Sequence, residues 1–135
     1  MNKPFVWPVR VYYEDTDAGG VVFYANYLKY FERARTELLR AKGYEQDELI
    51  AHESIVFAVR SLAVEYLKPA RFNQLLQVSA KIKTIKKASL EFTQQITHDE
   101  RLLVTGDVRI ACIDVNTMKP KAIPDHLLEQ LKHEY

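Results

Sequence analysis

A single long amphipathic helix set among strands constrains this 135-residue chain more than any other feature. From Asn26 the apolar positions Tyr27, Tyr30, Phe31, Ala34, Leu38 and Ala41 recur at helical spacing, and Glu32, Arg33, Arg35, Glu37 and Arg40 fill most of the remainder. Asn26 is a good N-cap and Gly43 a good stop, so the pattern predicts roughly four turns. Ahead of the helix, Phe5 to Tyr13 holds Val6, Trp7, Val9, Val11, Tyr12 and Tyr13 and reads as a strand. Pro8 places that strand at a sheet edge or a bulge. Behind the helix, a short helical segment around Gln46 to Ala51 precedes four strand-like stretches: Ile55 to Lys68, Leu75 to Ile85, Ser89 to His98 and Leu103 to Val115. Lys86-Lys87-Ala88 reads as a turn and Asn116 to Pro120 as a loop. Pro124 opens a short C-terminal helix through Leu127, Leu128 and Leu131.

Strand, long helix, then consecutive hairpin-linked strands predict an α+β layer with an antiparallel sheet of about five strands on one helix. A single helix covers only part of the concave face of such a sheet. An edge strand left open invites pairing with a second copy. No internal repeat, low-complexity segment or linker divides the chain, so residues 1–135 read as one domain.

Composition narrows the function. With 19 basic and 18 acidic side chains the net charge is +1, so no global field draws the protein to nucleic acid or membrane. An anion site has to be local. One cysteine, Cys112, cannot form an internal disulfide and fits a reducing compartment. The stretch Met1 to Phe5 has no apolar run of leader length, and nowhere do about 20 apolar residues follow one another. The expectation is a cytoplasmic protein without a membrane span.

Chemistry concentrates between Glu14 and Tyr27. Glu14, Asp15 and Asp17 precede Gly19-Gly20, and the helix starts within a few residues. A carboxylate beside backbone N–H groups at a helix N-terminus suits acyl transfer: one group activates water or attacks, the others hold an oxyanion. The run Asp17-Ala18-Gly19-Gly20-Val21-Val22-Phe23-Tyr24-Ala25-Asn26-Tyr27 resembles the signature Asp-x-x-Gly-(Ile/Val)-Val-x-(Tyr/His)-x-x-Tyr of the hotdog-fold acyl-CoA thioesterases, of the 4-hydroxybenzoyl-CoA thioesterase and YbgC type. The resemblance covers nearly the full chain. It implies a hotdog fold, in which a curved antiparallel sheet wraps a long central helix and dimers join sheets edge to edge.

The same resemblance implies roles. Asp17 would be the catalytic carboxylate, as nucleophile or general base. The backbone N–H of Tyr24 would polarise the thioester carbonyl, aided by the helix dipole. Many YbgC-type sequences carry His where this chain has Tyr24, so a mechanism needing an imidazole there does not transfer. Gly20, Val21 and Asn26 fall in the substrate-binding part of the motif, with helix capping the expected role of Asn26. Lys86 and Lys87, with the following Ser89, match a turn that places basic residues against the CoA phosphates. Arg60 and Lys121 are further candidates for contact with CoA. Glu14 and Asp15 are expected to cap the loop or face solvent, Tyr27 and Tyr30 to lie in the core, and Glu32 to be a surface acid or an interface ion pair.

Other chemistries lack their residues. No Gly-x-Ser-x-Gly elbow occurs, the four histidines show no metal-ligand spacing, and no phosphate-loop or dinucleotide glycine pattern is present. Cys112 sits within a strand pattern and reads as structural. Lys81 and Lys83 alternate along a strand and read as one solvated face. The expected activity is hydrolysis of an acyl-CoA to free acid and CoA, with no metal and no cofactor beyond the CoA of the substrate. The expected assembly is a homodimer or homotetramer with sites at the dimer interface. A hotdog dehydratase would need a His near Asp17, and none is there. The resemblance also leaves a non-catalytic acyl-binding or scaffolding role, tied to the Tol–Pal system or to phospholipid synthesis, with an acyl-carrier or similar partner.

Overall fold

The computed structural model describes residues 4–133. Met1 to Lys3, weighed above for a leader, lie outside the described residues. In chain order the elements are β1 (Phe5–Arg10), a short 3-10 turn (Tyr13–Asp15), α1 (Asn26–Ala41), α2 (Gln46–Glu53), β2 (Ile55–Tyr66), β3 (Leu75–Ile85), β4 (Ser89–His98), β5 (Arg101–Asp114) and α3 (Asp125–Lys132). The five strands form one sheet in the order β1-β3-β4-β5-β2, antiparallel throughout. This is the α+β layer that the order of elements predicts.

Alternation along the strands builds the core. Leu76, Val78, Ala80 and Ile82 of β3 are buried, while Lys81 and Lys83, on either side of Ile82, are exposed. From β4 come Leu90, Phe92 and Ile96, and from β5 Val104, Val108, Ile110 and Cys112. Helix α1 lays Tyr27, Tyr30, Phe31, Ala34 and Leu38 onto this face, and the buried residues form one continuous cluster. Phe31 passes so close to β5 that a Cβ on Gly106 would lie 2.7 Å from its ring, so only glycine fits there. Opposite Gly106, the fully buried Gln94 donates from Nε2 to Phe31 O (3.0 Å) and Ser79 O (3.1 Å) and accepts from Arg35 Nη1 (2.9 Å). A buried amide satisfied on both ends fixes the register of helix on sheet.

The two sheet edges differ. β1 carries Pro8 opposite Gln77, which removes a donor from that edge, as the sequence predicts. β2 has no proline; both edges expose apolar side chains, Val6 and Trp7 on β1 and Leu62 and Tyr66 on β2.

Two local expectations need correction. The first strand stops at Arg10 rather than Tyr13, because the Asp15 carboxylate accepts the Tyr12 N–H (2.9 Å) and Asp15 N–H bonds Tyr12 O (3.0 Å), closing a turn. Asn26 is the first helical residue and not the cap. Ala25 occupies the cap position without a side-chain bond, and Asn26 Nδ2 instead donates to Asp15 O at 2.8 Å. Gly43 does follow the helix end in a left-handed conformation (φ 91°).

Candidate active site

The loop between β1 and α1 is held mainly by its own backbone. Asp17 N–H bonds Val21 O (2.9 Å), Gly20 N–H bonds Asp17 O (3.0 Å), and Phe23 N–H bonds Asp15 O (2.9 Å). Gly20 adopts φ 78°, which glycine reaches without strain. The neighbouring Gly19 serves a different need. Its N–H donates to Asp17 Oδ1 at 2.9 Å, and a Cβ at this position would stand 3.3 Å from that oxygen. The Asp17 side chain is exposed, with one oxygen oriented by the loop and no bond on Oδ2 among the described residues.

Asp15, two residues earlier, is buried and structural. It caps the turn as expected, and Glu14 faces solvent. The Tyr30 hydroxyl lies beside the Asp15 carboxylate but makes no hydrogen bond of good geometry among the described residues. Burial, with the neighbouring Asp15, holds its pKa well above the ordinary tyrosine value. Tyr27 and Tyr30 are core residues, as their spacing predicts.

Tyr24 precedes the helix by two residues, and its N–H has no acceptor among the described residues. The free N–H sits where the helix dipole favours developing negative charge. Beside it, Val22, Tyr24, Tyr27, Tyr66, Leu67, Lys68 and Pro69 line an open cavity of about 250 Å³. The Tyr66 ring stands edge-on to Tyr24 (6.2 Å between centroids), so the end of β2 reaches the start of α1.

A second recess of about 110 Å³ lies between α1 and the sheet, walled by Leu39, Phe57, Val59, Leu90, Phe92 and Ile110. Glu32 and Arg35 stand at its polar side; Glu32 is exposed and makes no ion pair among the described residues. Burial lowers the Arg35 guanidinium to a pKa of about 10, still cationic at neutral pH. Sequence reasoning had no signal for this recess, because its walls come from α1 and three strands.

The basic candidates separate. Arg60, Lys86 and Ser89 come together in a polar cavity of about 290 Å³ with Thr84, Glu91 and Arg109. Arg109 was missed by sequence reasoning. Its clue is the outward position between buried Val108 and Ile110, and Glu91 across the strand pair takes part of its charge (3.2 Å). Lys87 is exposed and does not line this cavity. Lys121 is engaged elsewhere: its ammonium donates to Glu53 O (2.8 Å) and lies 3.7 Å from Asp114.

This geometry has clear relatives. The thioesterase-like superfamily matches residues 11–131. The chain belongs to that superfamily. Among curated proteins it is 46% identical over 129 residues to the acyl-CoA thioester hydrolase YbgC of Escherichia coli O157:H7, covering 95% of this chain and 96% of that protein. It is 41% identical over 133 residues to the acyl-CoA thioesterase YbgC of Haemophilus influenzae, covering 98% of each. Among solved structures, a probable thioesterase from Bartonella henselae superposes with a TM-score of 0.86 at 36% identity, covering 90% of this chain and all of that one. The fold is therefore the hotdog of the thioesterase superfamily. Every candidate site residue from Asp17 to Lys121 lies inside the span that the superfamily matches. No helix among the described residues is long and apolar enough to cross a membrane.

Proposed function

We propose that the protein hydrolyses short acyl-CoA thioesters to the free acid and CoA. One observation carries this reading: an exposed Asp17 carboxylate, oriented by Gly19 N–H, shares a loop with the unengaged N–H of Tyr24. The carbonyl oxygen would accept from Tyr24 N–H while Asp17 faces the carbonyl carbon or a water beside it. Gly20 and Val21 carry the loop backbone past the substrate, and Asn26 holds Asp15 O so that the loop meets the helix at a fixed angle. In the direct route Asp17 takes a proton from water, hydroxide adds to the carbonyl, and the thiolate of CoA leaves. In the covalent route Asp17 displaces that thiolate to form an acyl anhydride, which water then opens. CoA is part of the substrate, and the reading requires no cofactor.

Two dispositions support a shared, dimeric site. β3 runs eleven residues, a contour of about 35 Å, and the Asp17 loop near Leu75 and the Lys86 turn beyond Ile85 stand at opposite ends of it. If β2 pairs antiparallel with its own copy about its middle, near Arg60, the Tyr66 end of one strand meets the start of the other. The small apolar recess at Phe57 and Val59 of the partner then lies near Asp17, and suits a short acyl group. Arg60, Lys86 and Ser89 would receive the phosphates, with Arg109 beside them. Lys121 is left out of this set. A dimer is the minimum assembly, and a cytoplasmic location fits the CoA substrate.

The test is release of free thiol from acyl-CoA esters of increasing chain length, with optimal turnover expected for short chains. A folded dimer that releases no thiol from any of them would sink the reading and favour a non-catalytic acyl-binding or scaffolding role, of the kind associated with Tol–Pal or phospholipid synthesis. Label appearing in the Asp17 carboxylate after a single turnover in ¹⁸O water marks an anhydride opened at the aspartyl carbonyl.

A further inference from the structure

We infer that Tyr27 is a positioning residue whose phenol oxygen ties the outer rail of the Asp17 loop to helix α1. The inference rests on the assignment of Asp17 as the reacting carboxylate. The rail is the strap after β2, residues 69–72. Val21 and Arg71 form an antiparallel bridge, Val22 N–H bonds Ala70 O at 2.8 Å, and Phe72 N–H reaches Gly20 O at 3.4 Å. Val21 O in turn accepts the Asp17 N–H at 2.9 Å. The strap and the Asp17 loop therefore form one small ribbon.

On the strap side, that ribbon meets the helix through the Tyr27 side chain of the first turn. The Tyr27 hydroxyl accepts the Ala70 N–H at 2.9 Å, and both residues are buried. The same helix start presents Tyr24 N–H. The distance between the attacking group and the oxyanion donor is thus set through the path Asp17, Val21 and Val22, Ala70, Tyr27 and Tyr24. Asn26 Nδ2 on Asp15 O holds the near side of the loop, and Tyr27 holds the far side. Burial keeps the phenol neutral, so it adds no charge beside Asp17. A shift of about 1 Å between reacting groups can cost 10²-fold in rate, so a lost tether on one side of the loop shows in turnover before it shows in binding.

Tyr27→Phe retains the ring, which packs at 5.6 Å from Tyr66 and 6.2 Å from Tyr30, and removes the acceptor. The expected result is a kcat about 10-fold lower with KM within about twofold, and faster hydrogen exchange at the Ala70 and Val22 amides. A double-mutant cycle isolates the cause. In an Asp17→Asn background the further loss on Tyr27→Phe should shrink to about twofold or less, because there is no carboxylate left to place. An equal 10-fold loss in both backgrounds, or unchanged kcat in the single variant, overturns the inference. Should Tyr27→Phe fail to fold, 3-fluorotyrosine at position 27 keeps the shape and weakens the acceptor. A lowered kcat then supports the tether, and an unchanged kcat refutes it. Full activity in Asp17→Asn would instead sink the catalytic assignment itself.

Discussion

The Asp17 loop and the basic cavity at Lys86 would serve one substrate, yet they are built in opposite ways. The loop is a continuous stretch whose bonds close largely between residues 12 and 26, with backbone partners throughout. The cavity takes Arg60 from β2, Thr84 from β3, Lys86 from the turn, Ser89 and Glu91 from β4, and Arg109 from β5. Strand register alone brings these together. The difference follows from what each region has to do. A reacting carboxylate tolerates little displacement, and backbone turns hold position to tenths of an ångström. Phosphate attraction falls off slowly with distance and is spread over several flexible cations, each worth little alone. Substitutions should therefore be severe and specific in the loop, and graded and salt-dependent in the cavity.

The sharpest break is at Asp17. Asp17→Asn keeps the side-chain shape and the acceptor for Gly19 N–H, and removes the charge. Turnover should fall about 10²-fold or more, with thermal stability unchanged. Cys112 gives an internal check on folding. Burial raises its thiol to a pKa of about 11, so a native fold resists alkylation at pH 8. Turnover near wild type in a protein that passes this check would remove Asp17 from the chemistry.

The cavity should answer in KM. Arg60→Ala with Lys86→Ala takes two cations from one recess and should raise KM for acyl-CoA about 10-fold, with kcat within about twofold. The residual binding should respond less to added salt. An N-acetylcysteamine thioester, which has no nucleotide, should be turned over as by the wild type. If KM for that truncated substrate rises equally, the cavity holds the fold together and not the phosphates.

These two regions also differ in how far the sequence discloses them. Asp17, Gly20 and Tyr24 were singled out because glycines, acids and the helix start stand in one string that resembles the family signature. The hydrophobic periods gave α1 to within a residue of its observed bounds, and of the edge or bulge that Pro8 allowed, β1 is the edge. Asn26 misled, since a capping side chain and one that reaches back eleven residues to Asp15 O look the same in sequence. Tyr27 read as core and is core, but its bond to Ala70 joins residues 43 apart, and no spacing rule reaches that far. Arg109 hid for the same reason, as its neighbours belong to other strands. Lys121 read as a candidate for contact with CoA, and the fold sets its ammonium against Glu53 O and Asp114.

Tyr24 tests whether side chain or backbone matters at the oxyanion position. The residue is 62% exposed, and its hydroxyl makes no hydrogen bond among the described residues. Tyr24→Phe leaves the N–H and the ring contacts with Phe23 and Tyr66 in place. Turnover should stay within about threefold of wild type, since the proposed oxyanion donor is the unchanged backbone N–H. A loss near that of Asp17→Asn would make the phenol a participant and would add a side-chain acid to an oxyanion position otherwise supplied by backbone.

The smallest effect separates two adjacent lysines. Lys86 lines the cavity, whereas Lys87 is exposed outside it and contributes to the structure through its carbonyl, which accepts Ile123 N–H at 2.9 Å. That backbone bond is indifferent to the side chain. Lys87→Ala should leave KM within about twofold and stability within about 0.5 kcal/mol, the usual range for a solvated surface position. Lys86→Ala should raise KM by about three- to fivefold, in line with the loss of one partly screened charge contact. Steady-state KM at two ionic strengths decides the matter, because a true phosphate contact weakens with salt and a bystander does not. If the two variants behave alike, recognition rests on the charge of the whole turn, and the register that brings Lys86 to Arg60 and Ser89 has no part in it.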